Sequence, residues 1–364
     1  MELFVFNRDL NMIGIIGTYT SLIWNRRYSK HGDFELHCPL NTENLELLTK
    51  ENIIYKNDDE EAGYIQYRNL AMNEGGDEVL VVRGKFLTGY LNRRIIWGTK
   101  TLDMTTEMAI RELTTENAIN PSDADRIIPL LALGEARGYT QTANTQTSYV
   151  NLLDKIESLA SDAEMGIKTR LDIENKRLIF ELYEGLNRTA GQNINPPAIF
   201  SKEFENVLEQ EYTDSSLGYS NVALVAGEGE GTNRKRVTVG GGAGMDRYEV
   251  HVDARDLQST KEDGTPIPEA KYLDMLRDRG NSKLEESKEI QTFDSKINLN
   301  SNLTYKKDFD LGDIVTCTSK KWGITIDTRI TEVQEIYEST GKQINVTFGD
   351  SIPTLIEKLK EVIS

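Results

Sequence analysis

Cysteine is nearly missing from this chain: of 364 residues only Cys38 and Cys317 are cysteines, far apart and each inside a strand-like run. That excludes a disulfide framework and reads as two reduced thiols in hydrophobic cores. Histidine is as scarce. His31, His37 and His251 form no His-Glu-x-x-His and no Cys-x-x-Cys accompanies them. A strand would also point the neighbours His37 and Cys38 to opposite faces, so no metal site is expected. Prolines number eight, and the tandem Pro196-Pro197 marks Asn193 to Pro197 as a linker, because tandem prolines cannot pair within a sheet. No stretch approaches the roughly 20 apolar residues of a membrane-spanning helix, so no membrane span is expected. The opening MELFVFNRDL lacks the basic start, apolar core and cleavage site of a secretory signal, which predicts a protein made in a cytoplasm and kept soluble. Basic residues are the minority: 42 Lys and Arg face 59 Asp and Glu, a formal charge of −17. Nucleic-acid binding depends on cations that displace counterions from phosphates, so no direct or sequence-specific nucleic-acid binding is expected.

Catalytic signatures are missing too. The glycine-rich GEGEGTNRK has Thr232, not Lys, after Gly231, and a strand rather than a helix follows, so it fails as a phosphate cradle. Gly218-Tyr219-Ser220-Asn221-Val222 lacks the second glycine of a nucleophile elbow. The acidic run Asp58 to Glu61 lacks the ligand alternation of an EF-hand and reads as a solvated hairpin loop. In VDARDL, alternation places Asp253 and Arg255 on one face, where a structural ion pair at a strand end is expected in preference to catalysis. The sequence therefore predicts no catalytic residue, no cofactor and no enzyme.

What is present is sheet, spread over several cores. A chain of this length with 38% apolar residues should divide into two to four domains. Strands are predicted at Leu3 to Phe6, Ile13 to Ile16, Tyr19 to Trp24, Phe34 to His37, Ile53 to Tyr55, Tyr64 to Met72, Glu78 to Phe86 and Arg94 to Trp97. Short strands at this spacing suggest a small barrel or sandwich. Glu107 to Ala118 reads as a helix capped by Thr105 or Thr106. Asn120 to Thr147 has no clear period and reads as exposed loop with strand fragments. A helix is expected from Ser148, with Val150, Leu153, Ile156, Leu159 and Ala160 on one face, ended by Gly166. A hairpin of Ile167 to Ile173 and Arg177 to Tyr183 follows. Later come a helix over Glu269 to Glu289 that Gly280 should break or kink, strands at Gln291 to Asn298, Ile314 to Ser319, Thr325 to Tyr337 and Gln343 to Phe348, and an amphipathic helix over Ile352 to Ile363.

The centre of the chain is the block from Glu203 to Leu257. Val222 to Ala226 and Val237 to Val239 flank a glycine-rich turn, and Tyr248 to Asp253 alternates apolar with polar residues, so three strands are expected. Arg234, Lys235 and Arg236 stand out in so acidic a chain. Opening a strand, Arg234 and Arg236 would share one side and Lys235 take the other, which suits either contact with acidic groups of a neighbouring subunit or other partner, or a solvated turn balancing Glu228 and Glu230. Gly240, Gly241 and Gly242 follow at once, where a turn of positive φ or a close backbone contact is expected.

The string NVALVAGEGEG, the basic RKRV, the glycine run and DRYEVHVDARDL resemble the tail-tip or baseplate-hub proteins of long-tailed phages and prophages, a siphophage tail-associated family. SLIWNRRYSKHGDFELHCPL near the N-terminus and YKKDFDLGDIVTCTSKKWGITIDTRITEV near the C-terminus resemble that family's opening and closing segments. The resemblance implies a strand-rich α+β, multi-domain fold with two β-barrel-like domains and smaller α+β domains. It divides the chain into residues 1–100 (barrel-like), 101–200 (helix plus hairpin), 201–258 (central strands completing a barrel) and 259–364 (a second barrel-like segment with helices), the domains being discontinuous. It implies a structural virion protein: a homotrimeric hub at the tail tip, joining the tail tube to distal tail or baseplate proteins, the tube being the other partner for Arg234 and Arg236. Three copies would carry 3 × −17 = −51 formal charges, which suits an acidic lumen through which DNA slides, although a surface kept soluble by its charge is the preferred reading. A tail-associated peptidase or glycan hydrolase is the alternative, and Trp24, Trp97 and Trp322 are the aromatics on which a sugar-binding reading would draw.

Overall fold

The computed structural model describes residues 1–349 apart from 73–75, 77 and 262; the helix expected over Ile352 to Ile363 lies outside the described residues. Alternation of apolar and polar side chains produces most of the strands. In Ser21–Arg27 the side chains of Leu22, Trp24 and Arg26 point inward, and in Asp33–Pro39 those of Phe34, Leu36 and Cys38 do. These strands belong to a sheet of 14 that runs through the whole chain. Its main path starts at Val207–Ser215 and passes through Ile290–Ile297, Gly341–Gly349 and the long strand Ile324–Glu338. It continues through Ser21–Arg27, Asp33–Pro39, Glu78–Phe86, Ala62–Met72, Ile53–Lys56 and Leu3–Phe6 to Met12–Ile16. The fold is strand-rich α+β, as the sequence predicts, but this order does not close on itself among the described residues.

Two cores lie along this one sheet. Ile16 from one end and Leu22 and Trp24 from the other end of the N-terminal half meet in a single cluster with Val5, Phe34, Leu80 and Phe86. The half must therefore curl over its own face. The C-terminal half does the same around Phe200, Phe293, Val315, Val333 and Phe348, and Gln210 reaches from the edge strand to Ser319 at 3.1 Å. The long strand joins the halves: its first part pairs with Ile314–Ser319 and its second with both Gly341–Gly349 and Ser21–Arg27. A bulge between Ile330 and Glu332 separates the two parts, shifting which side chains face inward.

Between the halves of the chain sits an α+β unit. Helix Thr106–Thr114 is capped by the Thr105 hydroxyl, and helix Leu152–Asp162 by the Asn151 side chain. Both pack on the hairpin Gly166–Asp172 and Arg177–Tyr183 around Ile110, Leu113, Leu153, Ile156 and Phe180. The stretch expected to be loop contains the strand Thr142–Ser148, paired with Thr99–Thr105 along its full length. Its residues TANTQTS hide it, being polar yet half-buried, so no hydrophobic period marks the strand. Arg94 to Trp97 is not a strand; a 3-10 helix, Leu87–Arg93, precedes it and Ile95 makes one isolated bridge.

The strands expected to complete a barrel divide between two sheets among the described residues. Val207–Ser215 joins the large sheet, but Val222–Ala226 forms a separate three-stranded sheet, antiparallel to Arg236–Gly240 and parallel to Glu249–Asp253. Both flanks of Val222–Ala226 are thus taken, and helix Glu269–Glu286 covers one face with Tyr272, Met275 and Leu276. The helix runs unbroken through Gly280. A Cβ there would stand 2.6 Å from the Cγ2 atoms of Val225 and Val239, so this glycine allows close helix–sheet approach rather than ending the helix.

Candidate functional site

The strongest concentration of chemistry is a buried charge network where the two halves of the large sheet meet. Alternation turns Arg26, Lys56 and Glu335 inward from Ser21–Arg27, Ile53–Lys56 and Ile324–Glu338, and all three are buried. The Arg26 guanidinium donates to Tyr305 Oη at 2.7 Å, Asp310 Oδ1 at 2.9 Å and Glu61 Oε2 at 3.4 Å. Lys56 Nζ donates to Asp58 at 2.5 Å and Glu335 at 3.1 Å, and lies 3.7 Å from Asp59. Lys306, from the loop before Ile314–Ser319, reaches Asp59 at 3.1 Å, and Lys342 reaches Glu335 at 2.7 Å. The Trp24 indole N–H donates to Asp59 at 3.2 Å.

The acidic run expected to be a solvated loop is therefore partly interior, with Asp59 and Glu61 side chains 1% and 5% exposed. Their environments drive them apart. Burial opposes ionisation of Asp59, but Arg26, Lys306 and Lys56 outweigh it and hold the carboxyl well below its usual range. Glu61 is pushed up to about 7 by burial, with Arg26 opposing and the Asp59 charge adding. Burial also disfavours the Glu335 carboxylate, yet three lysines keep it below the ordinary value. The network ties strands from both ends of the chain into one junction. Such a network favours one register, since buried ion pairs contribute little net stability but a misplaced partner leaves a buried charge uncompensated. A signal was present in the sequence, since Arg26 continues the inward period of Leu22 and Trp24.

The residues singled out by sequence fall elsewhere, around the small central sheet. Arg234 precedes the strand Arg236–Gly240 rather than opening it, so it does not share a strand face with Arg236. Its guanidinium turns inward, donating to the carbonyls of Gly227 at 2.9 Å and Ala226 at 2.7 Å and to Asp253 at 2.6 Å. Lys235 pairs with Glu269, and Arg236 is exposed. Asp253 also accepts from Arg255, at 2.5 Å and 2.9 Å, on an exposed surface. Gly240 has φ +82 and a Cβ there would meet Asn221 O at 2.0 Å, Gly242 is tight against Asp246 O, and Gly241 faces open space. His31 pairs with Glu157 and His37 with Glu35, both at 2.6 Å. Cys38 and Cys317 are free and buried, and burial pushes the Cys38 thiol up to about 12. Among the described residues no cluster of three His, Cys, Asp or Glu is gathered that would hold a metal, and no helix is long and apolar enough to cross a membrane.

This architecture is shared with phage-derived tail proteins. The tail protein of prophage MuSo2 from Shewanella oneidensis superposes with a TM-score of 0.58 at 11% identity, over 96% of this chain and 98% of that one. Prophage tail protein gp18 from Listeria monocytogenes gives 0.56 at 12%, over 100% and 98%, and a tail protein from Neisseria meningitidis gives 0.57 at 10%, over 96% and 97%. The chain belongs to the siphovirus ReqiPepy6 Gp37-like protein family, whose profile matches residues 2–350. Comparison with curated proteins finds no match.

Proposed function

We propose that this chain is a structural, non-enzymatic protein of a phage or prophage virion tail, working as a homotrimeric hub at the tail tip between the tail tube and the distal or baseplate proteins. The observation that carries the reading is the large sheet, whose edges at its opposite ends are free among the described residues. Met12–Ile16 exposes Met12, Ile13 and Ile15 at 51%, 42% and 40%, and Val207–Ser215 exposes Leu208 at 47%. Unpaired edges with apolar side chains favour association with another chain, and edges at opposite ends of one sheet suit head-to-tail contacts that close into a ring. Each chain brings two curled, separately cored half-sheets, which we read as the two barrel-like units, so three chains would present six such units to a sixfold tube. The exposed Arg236 and the glycine turn at Gly240, Gly241 and Gly242 are proposed as further contact points, and Arg234 and Lys235 as residues that shape them.

Native mass spectrometry of the purified chain at tens of micromolar tests the assembly. Three copies of a 41.1 kDa chain, about 123 kDa, are expected; a population of monomers alone overturns the trimer. Absence of turnover on purified peptidoglycan is expected, and turnover lost on substitution of one carboxylate would replace this reading with an enzymatic one.

A further inference from the structure

A second surface is built on the α+β unit. Ile95, Trp97, Ile127 and Val150 are 46%, 47%, 40% and 42% exposed, and Tyr149 is 69% exposed. Ile95, Trp97, Gly98 and Tyr149 line a shallow hollow of about 440 Å³. One face of the Trp97 ring is covered by the Arg126 guanidinium, 4.0 Å from the ring centroid. That guanidinium is fixed from behind, donating to Ile95 O at 2.5 Å and Asn117 Oδ1 at 3.1 Å, while the same Asn117 oxygen accepts from Trp97 N–H at 3.2 Å. Arg94 bonds only carbonyls, those of Arg126, Arg93 and Ile127. Tyr149 is held with φ +51, a conformation side chains adopt at a cost, while the backbone pairs Tyr149 N with Ile96 O and Ile96 N with Val150 O.

Three features indicate a partner. First, Trp, Tyr and Arg are the residues that dominate binding energy in protein interfaces, and here they are pre-positioned, which lowers the entropic cost of docking. Second, neither Arg94 nor Arg126 has a carboxylate within ion-pair range among the described residues, Asp123 acting on Arg126 only from farther away. Arg126 is buried and Arg94 half-buried, so in a chain of net charge −17 Arg94 presents the accessible positive charge, backed by Arg126, and it calls for an acidic complement. Third, the hollow's lining offers a sugar no side-chain amide or carboxylate, only a tyrosine hydroxyl and an indole N–H, whereas its apolar rim suits a protein side chain.

We propose that this surface docks a different tail protein, through a segment that sets a carboxylate beside a large apolar side chain: the apolar group enters the hollow against Trp97 and Tyr149, and the carboxylate meets Arg94, with the buried Arg126 adding its charge from beneath. The choice of a different protein rests on the ring reading above, in which copies of this chain meet through the ends of the large sheet. The test is selection of a random peptide library against the immobilised full-length chain. Enriched peptides should carry Asp or Glu close to an aromatic or Leu residue, and should lose about tenfold or more in affinity on Trp97→Ala and on Arg94→Ala. Both variants should keep the wild-type oligomer mass, although each should melt lower, since Arg94→Ala frees the carbonyls of Arg126, Arg93 and Ile127 and Trp97→Ala uncovers Arg126; if one variant fails to fold, the other decides alone. No enriched peptide, peptides without acidic residues, or peptides that bind the variants equally well would overturn the proposal. Binding of glucuronic acid or N-acetylglucosamine that Trp97→Ala abolishes, without a peptide consensus, would put a sugar there instead. Loss of oligomer mass in either variant would make the surface a contact between copies. The wild-type mass is measured separately, so a failed ring and a failed docking surface give different results.

Discussion

At the scale of single residues the buried junction dictates how stability follows pH. Glu61 titrates at about 7 in the folded chain against about 4.3 when unfolded. Its folded pKa is raised, so its contribution is intact below about 4.3 and is lost as pH rises through about 7. Asp59 is shifted the other way, so its contribution is present above about 3.9 and is lost as pH falls below that. Urea unfolding between pH 5 and pH 8 should therefore show a decline that Glu61→Gln flattens; an unchanged slope in the variant would assign the decline to another group. Lys56→Met leaves Glu335 and Asp59 short of a buried cation, although Lys306 and Lys342 remain. Removing one partner of such a network costs about 3–5 kcal/mol, which the same urea titration reads directly.

At the scale of elements, steric room separates glycines that look alike in sequence. Gly240→Ala places a Cβ against the Asn221 carbonyl at a residue with φ +82 and should cost about 1–3 kcal/mol. Gly241→Ala has open space and should stay within about 0.5 kcal/mol of wild type. In helix Glu269–Glu286, Gly280→Ala gains helix propensity of up to about 1 kcal/mol but drives its methyl into Val225 and Val239, an overpacking cost of about 1–3 kcal/mol. Thermal melts of the three variants should rank Gly241→Ala above Gly280→Ala and Gly240→Ala; equal melts would mean that helix and sheet separate without penalty.

At the scale of the whole molecule the exposed edge should matter to assembly and not to folding. Ile15 lies opposite Phe4 in the ladder that ends the sheet, with nothing paired beyond it among the described residues. Ile13→Lys together with Ile15→Lys places two charges on that edge, a natural device against edge pairing. The melting free energy of the subunit should move by no more than about 0.5–1 kcal/mol, while on the proposed ring the mass should fall from trimer to monomer. A trimer that survives this double variant would place the contact between copies elsewhere on the chain.

The sequence by itself determined most local structure, because apolar runs and cap chemistry act over a few residues: Glu78–Phe86, Val222–Ala226 and Ile314–Ser319 lie where apolar, β-branched runs put them, and Thr105 caps the helix its spacing marks. It also carried the likeness to tail proteins, through strings that run across the chain. It did not show that Thr142–Ser148 is a strand, because burial there is set by a partner strand and not by its own polar residues. Nor did it show the inward turn of Arg234 or the interior place of Asp59 and Glu61. A charged side chain is buried only where opposite charges from distant segments arrive together, Arg26, Lys56 and Lys306 here, and that meeting is created by strand pairing across some 300 residues of sequence, Ser21–Arg27 lying beside Ile324–Glu338. Tertiary structure alone decided it, since the desolvation that makes those charges matter does not exist until the two halves of the sheet have closed on one another.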